Sequence, residues 1–247
     1  MRMLLVGGSG YVGSMVTPYL REEHELRVFD IAPPKDSSVE YFAGSVNDGA
    51  AVRAALDGIE GVAYMAMGRT PDGSYDVRSI DSCYDLHVKG LHRVLDAARA
   101  GGLTRAVYTS SLSVHGSRHG GRVPNEDIPC DAPDLYGFTK WLGELVCEYF
   151  ARAHGMTVIS LRLHGPVTRE EWQRRCRPGH PNPQVAAPDL ASAISLGLTA
   201  PAAGFHTLSI SGDYEGTIVN CARAKQVLGW EPKERPEPPR GPEAQDR

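Results

Sequence analysis

Tyr136 and Lys140 stand four residues apart in the run Tyr136-Gly137-Phe138-Thr139-Lys140. On a helix this spacing puts a phenol and an ammonium on one face, with Cβ atoms roughly 5–6 Å apart. Such a pair can move a proton at one substrate atom. A free phenol has a pKa near 10, so a tyrosine base near pH 7 needs a shift of about three units, or roughly 4 kcal/mol of differential stabilisation of the phenolate. A nearby ammonium pushes in that direction. A second group of candidates is the hydroxyl cluster Thr109-Ser110-Ser111-Leu112-Ser113. A serine there can hydrogen-bond a substrate hydroxyl or the carbonyl formed from it. For Ser110 and Ser113 the favoured reading is that they satisfy loop backbone groups.

Chemistry of this kind needs a redox partner, and the start of the chain has the pattern that holds one. Leu4-Leu5-Val6-Gly7-Gly8-Ser9-Gly10-Tyr11-Val12-Gly13 is followed by an amphipathic run and then by Leu26-Arg27-Val28-Phe29-Asp30. This reads as a strand, a glycine-rich turn, a helix and a second strand ending in an acid. Glycines let the backbone approach a pyrophosphate, and the helix start offers N–H groups and a positive dipole end. The triplet reads either as Gly8-x-Gly10-x-x-Gly13 or as Gly7-x-x-Gly10-x-x-Gly13. Asp30 can accept both hydroxyls of an adenosine ribose. It would repel a 2′-phosphate, and Ile31-Ala32-Pro33-Pro34 offers no arginine to receive one, so the expected cofactor is NAD. An oxidised nicotinamide adds a further positive charge that favours a phenolate.

Strand-like and helix-like runs alternate through the first two-thirds, which predicts an α/β fold with a parallel sheet covered on both faces. Expected strands are Met3–Val6, Leu26–Asp30, Val39–Phe42, Val62–Met65, Ala106–Thr109, Thr157–Leu161 and Phe205–Ile210. Helical patterns lie at about 11–21, 48–57, 79–100, 136–153, 169–176, 188–198 and 219–228. The Tyr/Lys pair therefore follows the fifth strand, whose carboxyl end carries the serines. In open sheets of this kind, ligands sit at the carboxyl ends of the strands. The expected organisation is a dinucleotide-binding unit over 1–165, a reduced substrate-binding lobe over 166–235 interleaved with it, and a disordered tail over 236–247.

Composition narrows the functional classes. A chain of 247 residues with 41% hydrophobic and 23% charged residues is ordinary for a globular domain, and a net charge of −4 gives no general attraction to nucleic acid. Five scattered cysteines without a C-x-x-C pair favour reduced thiols and a cytoplasmic location. No apolar run approaches the roughly 20 residues a membrane span needs. Among nine histidines, His115 and His119 are four apart but lie in a glycine-rich loop without a third ligand, so no metal is expected.

These motifs, in this order, resemble the extended short-chain dehydrogenase/reductase family, the NAD-dependent epimerase/dehydratase group. The likeness runs through Gly7/Gly10/Gly13, Asp30, Asp48, His87-Val88-Lys89-Gly90, the serine strand, Tyr136/Lys140 and Leu161-Arg162-Leu163-His164-Gly165-Pro166, then returns at Asp189-Leu190-Ala191 and Gly229-Trp230-Glu231-Pro232. It implies a Rossmann-type doubly wound sheet. It implies Ser111 as the catalytic serine, Tyr136 as acid/base, and Lys140 as the residue that lowers its pKa and binds the nicotinamide ribose. It also implies NAD held by Gly7, Gly10, Tyr11, Val12, Gly13 and Asp30, with Ser45 and Val46 beside the adenine and Met65-Ala66-Met67 along the dinucleotide. The chain departs from the pattern at His87 (usually Asn), at His115 (often Tyr), at Ser45 (often Asp), and in the short segment after Arg162. Short-lobed members such as uronate dehydrogenases hold a substrate carboxylate with an arginine, and Arg174 is the candidate. The alternative is that Arg169, Arg174, Arg175 and Arg177 form a solvated face paired with Glu170 and Glu171.

The expected activity is hydride transfer between NAD and a small sugar, sugar acid or polyol, with a nucleotide-sugar epimerase as the alternative. A dehydratase is disfavoured because Ser111 is followed by Leu112-Ser113 rather than an acidic pair. A non-catalytic sensor is disfavoured by the retained Ser111, Tyr136 and Lys140. The helices at 79–100 and 136–153 are those that pair in family members, which implies a homodimer.

Overall fold

In the computed structural model, which describes residues 1–68, 76–116, 122–123, 125–176 and 182–236, the described strands build one seven-stranded sheet. They are β1 (Arg2–Val6), β2 (Glu25–Asp30), β3 (Glu40–Ala43), β4 (Gly61–Tyr64), β5 (Arg105–Ser111), β6 (Thr157–Leu163) and β7 (Phe205–Ile210). Their order is β3-β2-β1-β4-β5-β6-β7, and every neighbouring pair is parallel. This is the expected doubly wound sheet. The chain reverses direction across the sheet between β1 and β4, which opens a crevice at their carboxyl ends.

Strand alternation sorts the apolar residues onto two faces. Met3, Leu5, Val28, Ala63, Val107 and Ile159 pack with α1 (Tyr11–Leu20) and α7 (Ala187–Thr199) through Val16, Leu20, Leu190, Ile194 and Leu198. Leu4, Val6, Phe29, Val62, Tyr64, Tyr108 and Val158 pack with α2 (Gly49–Ala55), α4 (Leu91–Ala100) and α5 (Leu135–His154). Both faces are covered, so the central strands read as nearly continuous apolar runs.

Local signals place the helices. Asp48 caps α2, Ser79 caps α3 (Ile80–Tyr84), Asp134 caps α5, and Thr168 caps α6 (Arg169–Arg175). Each side-chain oxygen accepts from an otherwise unpaired first-turn N–H. The single helix expected at 79–100 is interrupted. A π-helical turn at Asp85–Gly90 joins α3 to α4, and its Leu86 carbonyl accepts from the Tyr64 hydroxyl at 2.6 Å.

The stretch 166–235 is woven into the main layers: β7 pairs with β6 and α7 covers the sheet. The helix expected from Val219 begins later, as α8 (Ala222–Leu228), because Val219 pairs with Val123 in an isolated bridge. Residues 237–247, and with them most of the expected disordered tail, lie outside the described residues, as do Arg177 and His119.

The segment after α8 is tied down by one buried residue. The Asp189 carboxylate accepts from the Lys233 and Glu234 amides at 2.8 and 3.1 Å, and its carbonyl accepts from Trp230 Nε1 at 2.9 Å. Asp189→Ala leaves two amides without acceptors. It is expected to lower the unfolding free energy by about 1–3 kcal/mol in a denaturant titration, and to open 229–235 to protease.

Candidate active site

A cleft of about 430 Å³ lies where the sheet order reverses. Gly7, Gly10, Tyr11, Val12, Asp30, Ser45, Val46, Met65, Ala66 and Met67 all line it. Gly7 has φ +79°, and a Cβ there would lie 2.5 Å from the Ala66 backbone, so the turn and β4 can meet only at a glycine. Gly13 is not part of the lining. A Cβ there would overlap the Gly8 carbonyl, so it lets α1 pack on the turn. Gly7 and Gly13 thus do two different jobs.

The cleft fits a dinucleotide. No side chain caps α1 and no acidic residue stands in its first turn, so the helix start is free to meet a pyrophosphate. Asp30 is aimed by two amides, Ser9 N–H to Oδ2 at 3.0 Å and Ala32 N–H to Oδ1 at 3.2 Å. Ser45 accepts from the Asn47 amide, and Arg93 holds the Val46 carbonyl at 2.8 Å.

The catalytic candidates meet at the end of β5. Asp134 caps α5 by accepting from the Gly137 amide at 2.8 Å, which fixes the turn that bears Tyr136. A Cβ on Gly137 would overlap the Ser113 carbonyl, so this glycine allows α5 to abut the Ser111 turn. Tyr136 and Ser111 hydrogen-bond through their hydroxyls. Ser113 touches Ser111, its Oγ at 3.1 Å. Lys140 is buried, and its Nζ donates to the Thr109 carbonyl at 2.8 Å, 5.8 Å from the centre of the Tyr136 ring.

The protonation balance differs from the expectation. Burial pushes the Tyr136 phenol up to about 12, outweighing the Ser111 hydrogen bond. Burial pushes the Lys140 ammonium down to about 7. The protein alone therefore keeps Tyr136 protonated, because the cost of taking its charged form out of water outweighs what Ser111 offers it.

Two buried histidines lie in this region, His87 beside the pair and His115 beside Arg162. His87 is buried, with Nδ1 2.9 Å from Thr139 Oγ1 and its ring edge-on to Tyr136 at 5.7 Å. His115 lies between a carbonyl and a guanidinium: Nδ1 donates to the Pro129 carbonyl at 2.8 Å, and Nε2 accepts from Arg162 Nη1 at 3.0 Å. Arg162 in turn makes two bonds to Glu144, at 2.9 and 2.8 Å, with both side chains buried.

Sequence reasoning missed several cleft residues, among them Ser9, Asn47, Gly68, Ser82 and Asp85. It also missed the Glu144–Arg162–His115 network. One signal was available: an arginine inside an apolar strand must be paired, and Glu144 stands four residues after Lys140 on the same helix face. Arg174 is not part of the cleft lining. It lies 75% exposed on α6 and pairs with Glu171, as Arg175 does, while Arg169 bonds Glu234 at 3.0 Å. Its placement is that of a solvated, ion-paired helix face, so the expected substrate contact has no support in the geometry.

The model of the NAD dependent epimerase/dehydratase family matches residues 3–207. An NAD-dependent glucose-6-phosphate dehydrogenase of Haloferax volcanii is 24% identical over 94% of this chain and 93% of that protein. A UDP-glucose 4-epimerase of Corynebacterium glutamicum is 32% identical over 66% of this chain and 50% of its own length. An uncharacterized Sinorhizobium fredii protein is 33% identical over 64% of this chain, which spans 39% of its length. Two solved structures share the fold at a TM-score of 0.77. One is uronate dehydrogenase from Agrobacterium tumefaciens, 23% identical with 94% of this chain and 84% of that chain covered. The other is MoeE5 in complex with UDP-glucuronic acid and NAD, 20% identical with 95% of each chain covered.

The tautomer of His115 makes folding pH-dependent. Burial and the Arg162 charge lower its pKa from 6.5, opposed by the Pro129 hydrogen bond. A histidine depressed in the folded state contributes stability that is full above about pH 6.5 and is lost as pH falls through the folded value. The unfolding free energy is therefore expected to drop below about pH 6.5. In His115→Asn the dependence between about pH 6.5 and 5 should be shallower by up to one proton, or about 1.4 kcal/mol per pH unit, in denaturant titrations across pH.

Proposed function

We propose that this chain, which belongs to the NAD dependent epimerase/dehydratase family, is a dehydrogenase that transfers hydride between NAD and a hydroxyl or carbonyl of a small sugar, sugar acid or polyol. The observation that carries the choice is coverage: the glucose-6-phosphate dehydrogenase matches over nearly the whole of both chains, whereas the 4-epimerase matches over two-thirds of this chain and half of its own. A specific observation favours a second reading, a nucleotide-sugar epimerase. The MoeE5 structure, equal in length to within a few per cent, holds UDP-glucuronic acid, so a short segment after β6 does not by itself exclude a nucleotide sugar.

The enzyme uses NAD, and in this reading Asp30 selects it over NADP. When bound, NAD gives or takes the hydride and, oxidised, brings a positive charge. Ser111 hydrogen-bonds the reacting oxygen and Tyr136 Oη passes the proton. The Lys140 ammonium supports the phenolate when Tyr136 acts as base and donates to the ribose. With Tyr136 protonated in the free enzyme, the site is poised as an acid for carbonyl reduction. Oxidation needs the added positive charge or a higher pH.

Tyr136→Phe is expected to keep NAD binding in calorimetry while turnover falls by roughly 10²–10⁴-fold. Lys140→Met should lose turnover and bind NAD more weakly, yet melt at a higher temperature when free, because it removes a buried ammonium. Ser111→Ala should lower turnover with less effect on NAD. A panel of sugars, sugar acids and nucleotide sugars with NAD⁺, read at the absorbance of reduced nicotinamide, decides between the readings. Net reduction identifies the dehydrogenase, and a changed sugar without it identifies the epimerase. Parent-like turnover in all three variants would sink the catalytic assignment.

The active form in this reading is a cytoplasmic homodimer. Phe138, Leu145 and Tyr149 form an exposed apolar stripe on α5, with Ile80 and Tyr84 exposed on α3. Trp141 is edge-on to Phe138, and Tyr149 stacks on His92 of α4. A second copy of the same face would cover the stripe. Leu145→Arg is expected to weaken self-association by roughly thirtyfold or more in sedimentation, with NAD binding retained. A monomeric parent at micromolar concentration would overturn the dimer.

A further inference from the structure

Lys140 carries its charge into the interior without a carboxylate to meet it there. Its Nζ donates to the Thr109 carbonyl at 2.8 Å, while Glu144, one turn along α5, is held by Arg162. One further group meets the ammonium. Tyr108 precedes Thr109 on β5, and Lys140 Nζ lies over its ring at 5.0 Å from the centre, against 5.8 Å for the Tyr136 ring. The face of a phenol ring carries partial negative charge. It attracts a cation within about 6 Å of its centre, most strongly where water is excluded. Both side chains are buried.

The Tyr108 hydroxyl does not explain the residue. Oη is buried and has no hydrogen-bond partner among the described residues. A buried hydroxyl left unpaired costs stability, so what the side chain contributes here is its ring. Gly143, three residues after Lys140 on α5, leaves room for that ring: a Cβ there would lie 2.5 Å from Oη and 2.8 Å from Cζ. Tyr64 packs on the same ring, tilted by 51° with centres 6.2 Å apart, and its own hydroxyl is tied to Leu86. The titratable groups acting on Lys140 are Cys83, Cys147 and Glu144, and those acting on Tyr108 are Cys147, Glu144, Tyr136 and Tyr64. Burial keeps both thiols and all three phenols protonated. His87, on which the Lys140 charge acts, is neutral. None of them offers the ammonium a free negative charge.

We propose that Tyr108 is a positioning residue for the catalytic pair: the face of its ring holds the buried Lys140 side chain in its charged form, beside the Thr109 carbonyl. A ring attracts the ammonium without bringing a full negative charge. A carboxylate in the same place would hold the lysine more firmly, and would cancel the charge that a phenolate on Tyr136 needs. The ring also takes no hydrogen-bond donor. Thr109 occupies one of the three, and the others remain for the cofactor ribose. The proposal rests on the reading of Tyr136 and Lys140 as the catalytic pair.

The test is the titration of Lys140 in the free enzyme, followed by NMR with ¹⁵N-labelled lysine. Lys140 is one of five lysines in the chain, and Lys140→Met assigns its signal. Tyr108→Phe keeps the ring face and should titrate as the parent does. Fluorinated phenylalanines at position 108 then keep the shape and burial of the ring while withdrawing negative charge from its face. Each added fluorine should lower the midpoint of Lys140, by about one pH unit in all for the trifluoro ring, because the charged form loses attraction. A midpoint that stays put or rises across the series overturns the proposal. A ring that served only to fill space would give that flat result. In turnover, the alkaline limit of kcat should move towards acid along with the lysine, with KM little changed. A limit that stays while the lysine moves upholds the contact and overturns the reading of Lys140 as catalytic, so the two failures are distinguishable.

Discussion

Burying the Lys140 ammonium without a carboxylate beside it costs free energy that the rest of the fold must supply, and much of the site follows from how the cost is met. The partner at hand is a backbone carbonyl, Thr109 at the end of β5, so the lysine is locked to the sheet rather than to a mobile side chain. Glu144, one turn further along α5, could have neutralised it. It is instead drawn to Arg162 on β6 by two hydrogen bonds. The pair satisfies both of its own charges and leaves the ammonium uncompensated. A charge held that way is available to whatever negative charge develops on Tyr136.

The same constraint explains why small residues occur where they do on α5. The helix must approach β5 and the π turn closely enough to deliver Tyr136 and Lys140 to one point. Gly137 removes a side chain that would strike the Ser113 carbonyl, and Gly143 removes one that would strike Tyr108 and His87. Neither glycine has an unusual φ; both are there for proximity. The helix tolerates their lower propensity because its apolar face, through Cys147 and Phe150, is buried in the core.

The architecture was legible because its signals are local and repetitive. Strand runs, caps such as Asp48 and the α8 stop at Gly229 are set by a few neighbouring residues, and the expected bounds lie within a few residues of those observed. The cleft was legible at Gly7 and Asp30 because a strand–turn–helix unit leaves few ways to place them. What escaped depends on long-range packing. The π turn at Asp85–Gly90 exists to fit α5 and Tyr64, so nothing in residues 79–100 alone announces it. The direction of the Tyr136 shift escaped for a related reason: spacing shows that a cation is near, but how completely the pair is buried is decided by the whole fold. Arg174 shows the converse. The sequence left open an anion site or an ion-paired face, and the pair with Glu171 is the one present.

The site therefore divides into a part fixed by the sheet and a part left to the segments around it. Ser111, Tyr136, Lys140 and their supports are held by β5, β6 and α5, all of which are tied into the core. Such a unit can exchange a proton with a hydroxyl that docks against it, and it carries no information on which molecule arrives. The fold is shared at about 20% identity with a uronate dehydrogenase and with a protein that holds UDP-glucuronic acid. The two buried histidines belong to the fixed part. Each is held neutral by its surroundings, one beside Lys140 and one beside Arg162. A proton on either would place a second cation beside one that is already buried, Lys140 or Arg162, so burying those two charges also requires these imidazoles to stay uncharged.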